Sequence, residues 1–193
     1  MPAPPQLTAA NGYFAMPEEG ILPPLGTPYP RERLTGYAIP FGRESDIRSD
    51  MDIREKDGSL VSFRDVYVPG AFDFSLSQIR RKKLVVPLKL AHADGPVHFC
   101  STNDFGVELA NGINGLMLSV NLLGRDGRHL AGWMRANPEF RFLSVGCTPT
   151  AYTLKGTDRV KTRVITAADL EEISLSKNPA FDRDWVELRH RTG

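Results

Sequence analysis

Ser144 and His92 are residue types that could form a nucleophile and its base. A serine hydroxyl becomes a good nucleophile when a base accepts its proton, and histidine suits that work near neutral pH. The chain contains four histidines, and His92 closes an apolar run, 84–91, that predicts a strand delivering it to a barrel rim. Ser144 follows 52 residues later, so only tertiary folding could bring the two side chains together. Because such groups are recognised by geometry rather than by sequence order, the sequence permits this pair without proving it.

Zinc binding is a second chemistry that His92, His98, Cys100 and Cys147 could support by residue type. Zinc sites usually show close pairs such as C-x-x-C, whereas His98 and Cys100 would supply only two ligands on one strand face. Nothing near Cys147 in the sequence would activate its thiol as a nucleophile. We expect both thiols to be reduced, and one disulfide between them stays open as an alternative. We predict neither a metal nor a cofactor.

Short strands must position these residues. Two amphipathic helices are predicted, at 71–81 and 129–136, the second stopping before Pro138. The predicted strand at 140–147 carries Ser144; the others lie at 34–41, 60–68, 84–91, 97–100, 105–109, 116–123, 151–154, 162–165 and 170–175. Many short strands with two helices are typical of a β-barrel or sandwich, so the predicted fold class is mainly β with flanking helices (α+β).

The length of 193 residues fits one domain with a flexible arm. Prolines crowd the beginning of the chain, where each one fixes φ and removes a backbone donor, so residues 1–33 are predicted to form a proline-rich N-terminal arm. The folded domain is predicted at 34–186, followed by a C-terminal tail at 187–193.

The charge balance excludes some function classes. A net charge of +1, from 24 basic and 23 acidic residues, argues against binding to nucleic acid or to a membrane surface. No apolar run reaches the roughly 18 residues of a membrane span, and the start of the chain does not resemble a signal peptide. We therefore expect a soluble protein that stays in the cytoplasm where it is made.

Three motifs in one order resemble the serine proteases with which tailed phages mature their proheads. They are Val68-Pro69-Gly70-Ala71-Phe72, then His92 at the end of its apolar run, then Ser144 within Phe142-Leu143-Ser144-Val145-Gly146. The likeness runs from about Gly36 to Phe181. It implies a fold similar to herpesvirus assemblin, a small closed β-barrel flanked by helices. It also implies that His92 accepts the proton of Ser144.

The closing segment of the chain suggests a third member for this site. Leu170-Glu171-Glu172-Ile173-Ser174-Leu175, followed by Asn178-Pro179-Ala180-Phe181, is similar to the family's closing segment, and the match picks Glu172. Glu171, Asp169 and Asp94 stay open as alternatives. Relatives often carry an acid directly after the histidine, whereas here Ala93 comes before Asp94. Since alternate residues of a strand share a face, Glu171 and Glu172 cannot both point at the site.

The resemblance implies a prohead maturation serine endopeptidase. Such an enzyme would cut the precursors of the scaffolding protein and the major capsid protein inside the assembling prohead, in the cytoplasm of the bacterial host. It could form a homo-oligomer, and it would need no nucleic acid, membrane or cofactor. The alternative is a catalytically inactive capsid-assembly or scaffold-like protein that keeps the barrel and docks through its proline-rich arm.

Overall fold

The computed structural model describes residues 33–54, 58, 60–92, 99–104, 106–156, 160–183, 187 and 189–191. Asp94, His98 and all but the last residue of the predicted arm lie outside the described residues. The described chain forms strands β1 Arg33–Pro40, β2 Arg48–Arg54, β3 Leu60–Tyr67, β4 Pro87–Leu90, β5 Cys100–Ser101, β6 Val107–Asn111, β7 Gly115–Asn121, β8 Phe142–Lys155, β9 Val160–Ser176 and β10 Arg189–Arg191, with helices α1 Asp73–Arg80 and α2 Arg125–Ala136 and a 3-10 turn at Pro138–Phe140.

The strands form two sheets. One has the order β10-β1-β7-β6, and the other has the order β2-β3-β9-β4-β5, with β8 also paired to β9. Buried apolar side chains from both sheets and both helices pack into one core, which includes Leu118 of β7, Ile173 of β9, Leu76 of α1 and Leu130 of α2. Among the described residues, no helix is long and apolar enough to cross a membrane.

The structure is mainly β with two helices, but the predicted closed barrel of the herpesvirus-protease type is wrong. Within the described part of the chain neither sheet closes on itself. Closure requires a continuous ladder between the first and last strands. Strand β1 already has β7 along one edge and β10 beside residues 33–35, and its end meets β3 only through isolated bridges such as Phe41–Tyr67.

Strand β9 is the central strand of the larger sheet. Strand β8 pairs with β9 in antiparallel orientation along almost the whole length of β9, from Thr162 to Ser176. The parallel neighbours β3 and β4 pair with its first and last parts, at 160–165 and 173–175. Because β8 occupies one edge of β9, β3 and β4 share the other edge. The residues that follow β4 are therefore delivered beside the end of β9.

Several predicted boundaries differ from the observed ones. The strand predicted at 140–147 continues to Lys155, because register shifts around Pro149 let β8 keep pairing with β9. Helix α2 begins four residues before its predicted start, at Arg125, with Gly124 as N-cap. A side chain at Gly127 would collide with the carbonyl oxygen of Asn121, so this glycine lets the first turn pack against the end of β7.

A buried ion pair joins β3 to β9. Asp65 and Arg163 are register partners, and Nε and Nη2 of Arg163 donate to the two carboxylate oxygens at 2.6 and 2.9 Å. Only 2% of Asp65 and 7% of Arg163 are exposed. The guanidinium also lies 3.9 Å from the ring centroid of Phe63. Since a buried charge is tolerated only when it is paired, each member depends on the other.

We expect Asp65→Asn to lower the free energy of unfolding by about 3 kcal/mol, because it leaves Arg163 buried without its counter-charge. Urea denaturation measures this change. The control is Glu108→Gln, which breaks a half-exposed pair with Arg33 and should cost less than about 1 kcal/mol. Equal effects of the two substitutions would contradict the importance of the buried pair.

Candidate active site

Ser144 and His92 come together at the end of β9. Ser144 lies on β8 opposite Ser174 of β9, and its Oγ is 2.9 Å from Nε2 of His92. His92 lies two residues beyond the end of β4. The structure therefore brings the two predicted residues into hydrogen-bonding distance across 52 residues of sequence.

The turn that carries His92 has an unusual backbone. Ala91 and His92 have φ of +47° and +56°, in the left-handed region that residues other than glycine seldom adopt. Strand β9 holds this turn in place: the N–H of Ala91 donates to the carbonyl of Leu175 at 2.8 Å, and the N–H of His92 donates to Oγ of Ser174 at 3.1 Å. Strained conformations of this kind persist where surrounding contacts determine them.

Glu172 lies on the other side of the imidazole ring. Its Oε1 is 2.5 Å from Nδ1 of His92, and it also accepts a hydrogen bond from Oγ of Ser174 at 3.1 Å. The second oxygen, Oε2, is 2.9 Å from Nζ of Lys89. Glu172 is only 7% exposed, so its carboxylate is buried with donors on both oxygens.

These donors decide the charge of Glu172. Burial pushes the pKa of this carboxyl upward, but the hydrogen bonds from Lys89, His92 and Ser174 outweigh burial and hold the pKa below its ordinary value. Glu172 is therefore an anion at neutral pH. A carboxylate can only accept hydrogen bonds, so Nδ1 of His92 carries a proton and, in the neutral ring, Nε2 is left to accept the hydroxyl proton of Ser144.

Gly146 makes room for Glu172. The two residues are register partners on β8 and β9, and a Cβ on Gly146 would lie 2.6 Å from Cγ of Glu172. The side chain of Glu172 thus crosses the neighbouring strand where that strand has no side chain. Sequence reasoning did not anticipate this contact.

Neither of the other described candidate acids forms a hydrogen bond with His92. Glu171 is exposed and accepts a hydrogen bond from Thr148 at 2.6 Å, and Asp169 is exposed on the same strand. A register shift places Gly146 opposite Glu172 and Cys147 opposite Leu170, so Glu171 is an extra residue in the ladder.

A cavity of about 530 Å³ adjoins the site. Ser144, His92 and Glu171 line it, together with side chains such as Ile39, Tyr67 and Phe181. It has room for a side chain of a bound molecule beside the Ser144 hydroxyl.

The thiols are protonated at neutral pH. Cys147 lines the cavity with its Sγ 3.1 Å from the hydroxyl of Tyr67, and burial raises its pKa to about 11. Burial likewise raises the pKa of Cys100 to about 12. Both cysteines are free. Among the described residues no three His, Cys, Asp or Glu side chains converge as a metal-binding set.

Sequence reasoning missed Lys89 and Ser174 at this site. Strand alternation could have found Ser174, which lies two residues from Glu172 and therefore on the same face. No sequence signal pointed to Lys89, because its contact with Glu172 depends on β4 and β9 being neighbours.

The model of one family, described as caudovirus prohead serine protease, matches residues 29–193 of the chain. This match confirms the resemblance drawn from the three motifs. No curated protein and no solved structure shows a significant match to the chain.

We expect Gly146→Ala to move Glu172 away from His92, because the new methyl group would overlap Cγ of Glu172. In the unsubstituted protein the Nδ1 proton that His92 donates to Oε1 of Glu172 should give a downfield ¹H NMR signal. That signal should disappear or move upfield in Gly146→Ala. Gly132→Ala is the matched control, because no atom lies within 4 Å of a Cβ there. An unchanged signal in Gly146→Ala would rule out the steric role of this glycine.

Proposed function

Because the chain belongs to the caudovirus prohead serine protease family, we propose that it is a serine endopeptidase that matures phage capsids. Its substrates would be the precursors of the major capsid protein and the scaffolding protein, cut inside the assembling prohead in the host cytoplasm. One observation carries the catalytic assignment: Ser144, His92 and Glu172 form a continuous hydrogen-bonded chain with separations of 2.9 and 2.5 Å.

The first step of the proposed reaction is attack by Ser144. As Oγ bonds to the carbonyl carbon of the peptide, the hydroxyl proton passes to Nε2 of His92 and the carbonyl π electrons move to its oxygen. His92 becomes an imidazolium, and the adjacent anion Glu172 stabilises that charge. Glu172 also holds the ring with Nε2 towards Ser144, which is the orientation that proton transfer needs.

The second step releases the amine. The tetrahedral intermediate collapses, the C–N bond breaks, and the Nε2 proton moves to the leaving nitrogen, so that an ester remains on Ser144. A water molecule then attacks the ester carbon while His92 accepts one of its protons. Breaking the ester bond returns that proton to Ser144 Oγ and frees the acid product. All protons and electrons come from the peptide, the water and these side chains, so no cofactor takes part.

The cavity beside Ser144 supports a substrate that enters as a polypeptide. A volume of about 530 Å³ is enough for one or two amino-acid side chains to be held while the scissile bond lies at the hydroxyl. Assembly of the protein into a homo-oligomer stays a prediction.

We expect a fluorophosphonate to label one peptide, the one that contains Ser144, because the reagent forms a bond only with an activated hydroxyl. Ser144→Ala should abolish labelling and lower precursor cleavage by at least about 10³-fold. Mass spectrometry of the labelled protein and electrophoresis of co-expressed precursors measure the two effects. Ser77→Ala, on the exposed side of α1, is the matched control.

Two results would contradict this assignment. Labelling of a different serine would move the nucleophile elsewhere. A folded protein that takes no label and cleaves no precursor would favour the non-enzymatic capsid-assembly protein.

We expect Glu172→Gln to lower turnover at least about tenfold with little change in KM, because a neutral amide cannot stabilise the imidazolium. Glu171→Gln should be mild, since that side chain bonds to Thr148 rather than to His92. Asp169→Asn should be equally mild. Steady-state kinetics on a peptide substrate distinguish the three variants, provided that their melting temperatures match. Greater damage from Glu171→Gln than from Glu172→Gln would reverse the assignment of the acid.

A further inference from the structure

Lys89 completes the set of donors around Glu172. It lies on β4 in register with Ser174 of β9, and its ammonium donates to Oε2 at 2.9 Å. The other oxygen, Oε1, receives the hydrogen bonds of His92 and Ser174. Both carboxylate oxygens therefore accept hydrogen bonds. Among the described residues, Lys89 is the only lysine or arginine that forms an ion pair with Glu172.

The burial of this ion pair separates it from an ordinary surface contact. The side chains of Lys89 and Glu172 are 22% and 10% exposed, whereas those of Lys177 and Glu139, paired at 3.1 Å, are 50% and 49% exposed. Exposed pairs are screened by water and contribute little. A pair withdrawn from water interacts more strongly, and its effect reaches the neighbouring imidazole.

We propose that Lys89 is a positioning residue of this site, which fixes the Glu172 carboxylate against His92 and lowers the pH at which His92 gives up its proton. This inference rests on the proposed protease function, because it concerns the general base of that reaction.

The charges explain the effect. With His92 protonated, the group of Lys89, Glu172 and His92 carries a net charge of +1; without Lys89 it would be neutral. A like charge nearby disfavours protonation of the ring. Lys89 therefore extends the neutral, proton-accepting form of His92 to lower pH. It also makes the imidazolium formed during the reaction a better proton donor to the leaving amine.

The other charged groups on the cavity stay constant in this comparison. Asp65 and Arg163 neutralise each other, while Asp46 and Glu171 line the cavity and form no hydrogen bond with His92 in the described structure. Replacing Lys89 therefore removes the positive charge beside Oε2 of Glu172 and leaves these other charges as they are.

The test is an NMR titration of the His92 ring protons in the full-length protein, with the His92 signals identified from their loss in His92→Gln. In Lys89→Met the midpoint of the titration should rise by about 0.5 to 1 pH unit. Lys89→Arg should keep the original midpoint, because it keeps the charge. Lys155→Met, at the far end of β8, should also leave it unmoved. An unmoved midpoint in Lys89→Met would overturn the proposal, since a merely structural lysine would alter stability alone.

A second measurement separates this inference from the proposed function. The acid limb of kcat/KM for peptide cleavage should shift upward in Lys89→Met by the same amount as the titration, with kcat lowered and KM unchanged. If the wild type cleaves the peptide but Lys89→Met shifts neither the titration nor the acid limb, the role of Lys89 is refuted and the protease function stands. If the titration shifts in Lys89→Met but the wild type shows no cleavage that depends on Ser144, the protease function is refuted and the electrostatic coupling stands.

Discussion

Glu172 carries a charge in a place from which water is largely excluded, and a buried charge is stable only when it is paired and hydrogen-bonded. The residues around Glu172 meet this requirement. Ser174 and Lys89 donate to its oxygens, Gly146 leaves space for its side chain, and His92 takes the remaining position on Oε1. The orientation of the imidazole therefore follows from how the carboxylate is accommodated.

Strand β9 provides the frame for this arrangement. It places β8, with Ser144, on one edge and β4, followed by His92, on the other, so Ser144 and His92 approach each other across its last residues. Backbone bonds from β9 also hold the left-handed turn at Ala91 and His92. At the opposite end of the strand, the ion pair of Asp65 and Arg163 ties β9 to β3 within the core. The two sheets do not pair along β1 and β8, and the cavity beside Ser144 is lined by residues of both strands, such as Ile39 and Val145.

Much of the fold could be predicted, and the error in it is informative. Hydrophobic alternation located most strands, since burial on one face repeats every second residue. The closed barrel was wrong because closure depends on which strand edges remain free, and β10 pairs with β1 from the far end of the chain. The long strands β8 and β9 each contain more than one predicted short strand, because their pairing continues through register shifts. Such shifts leave no clear trace in the periodicity of the sequence.

For the site, alternation along one strand is a local property, and it predicted only that Glu171 and Glu172 point to opposite faces. The resemblance of the closing segment then picked Glu172, with Glu171, Asp169 and Asp94 left open. The order of the motifs, through family resemblance, added Ser144 and His92 as candidates. Only the tertiary structure decided that Lys89 contacts Glu172 and that Gly146 must lack a side chain. The reason is that these contacts run between strands distant in sequence, and hydrogen-bonding between their backbones sets which residues become neighbours.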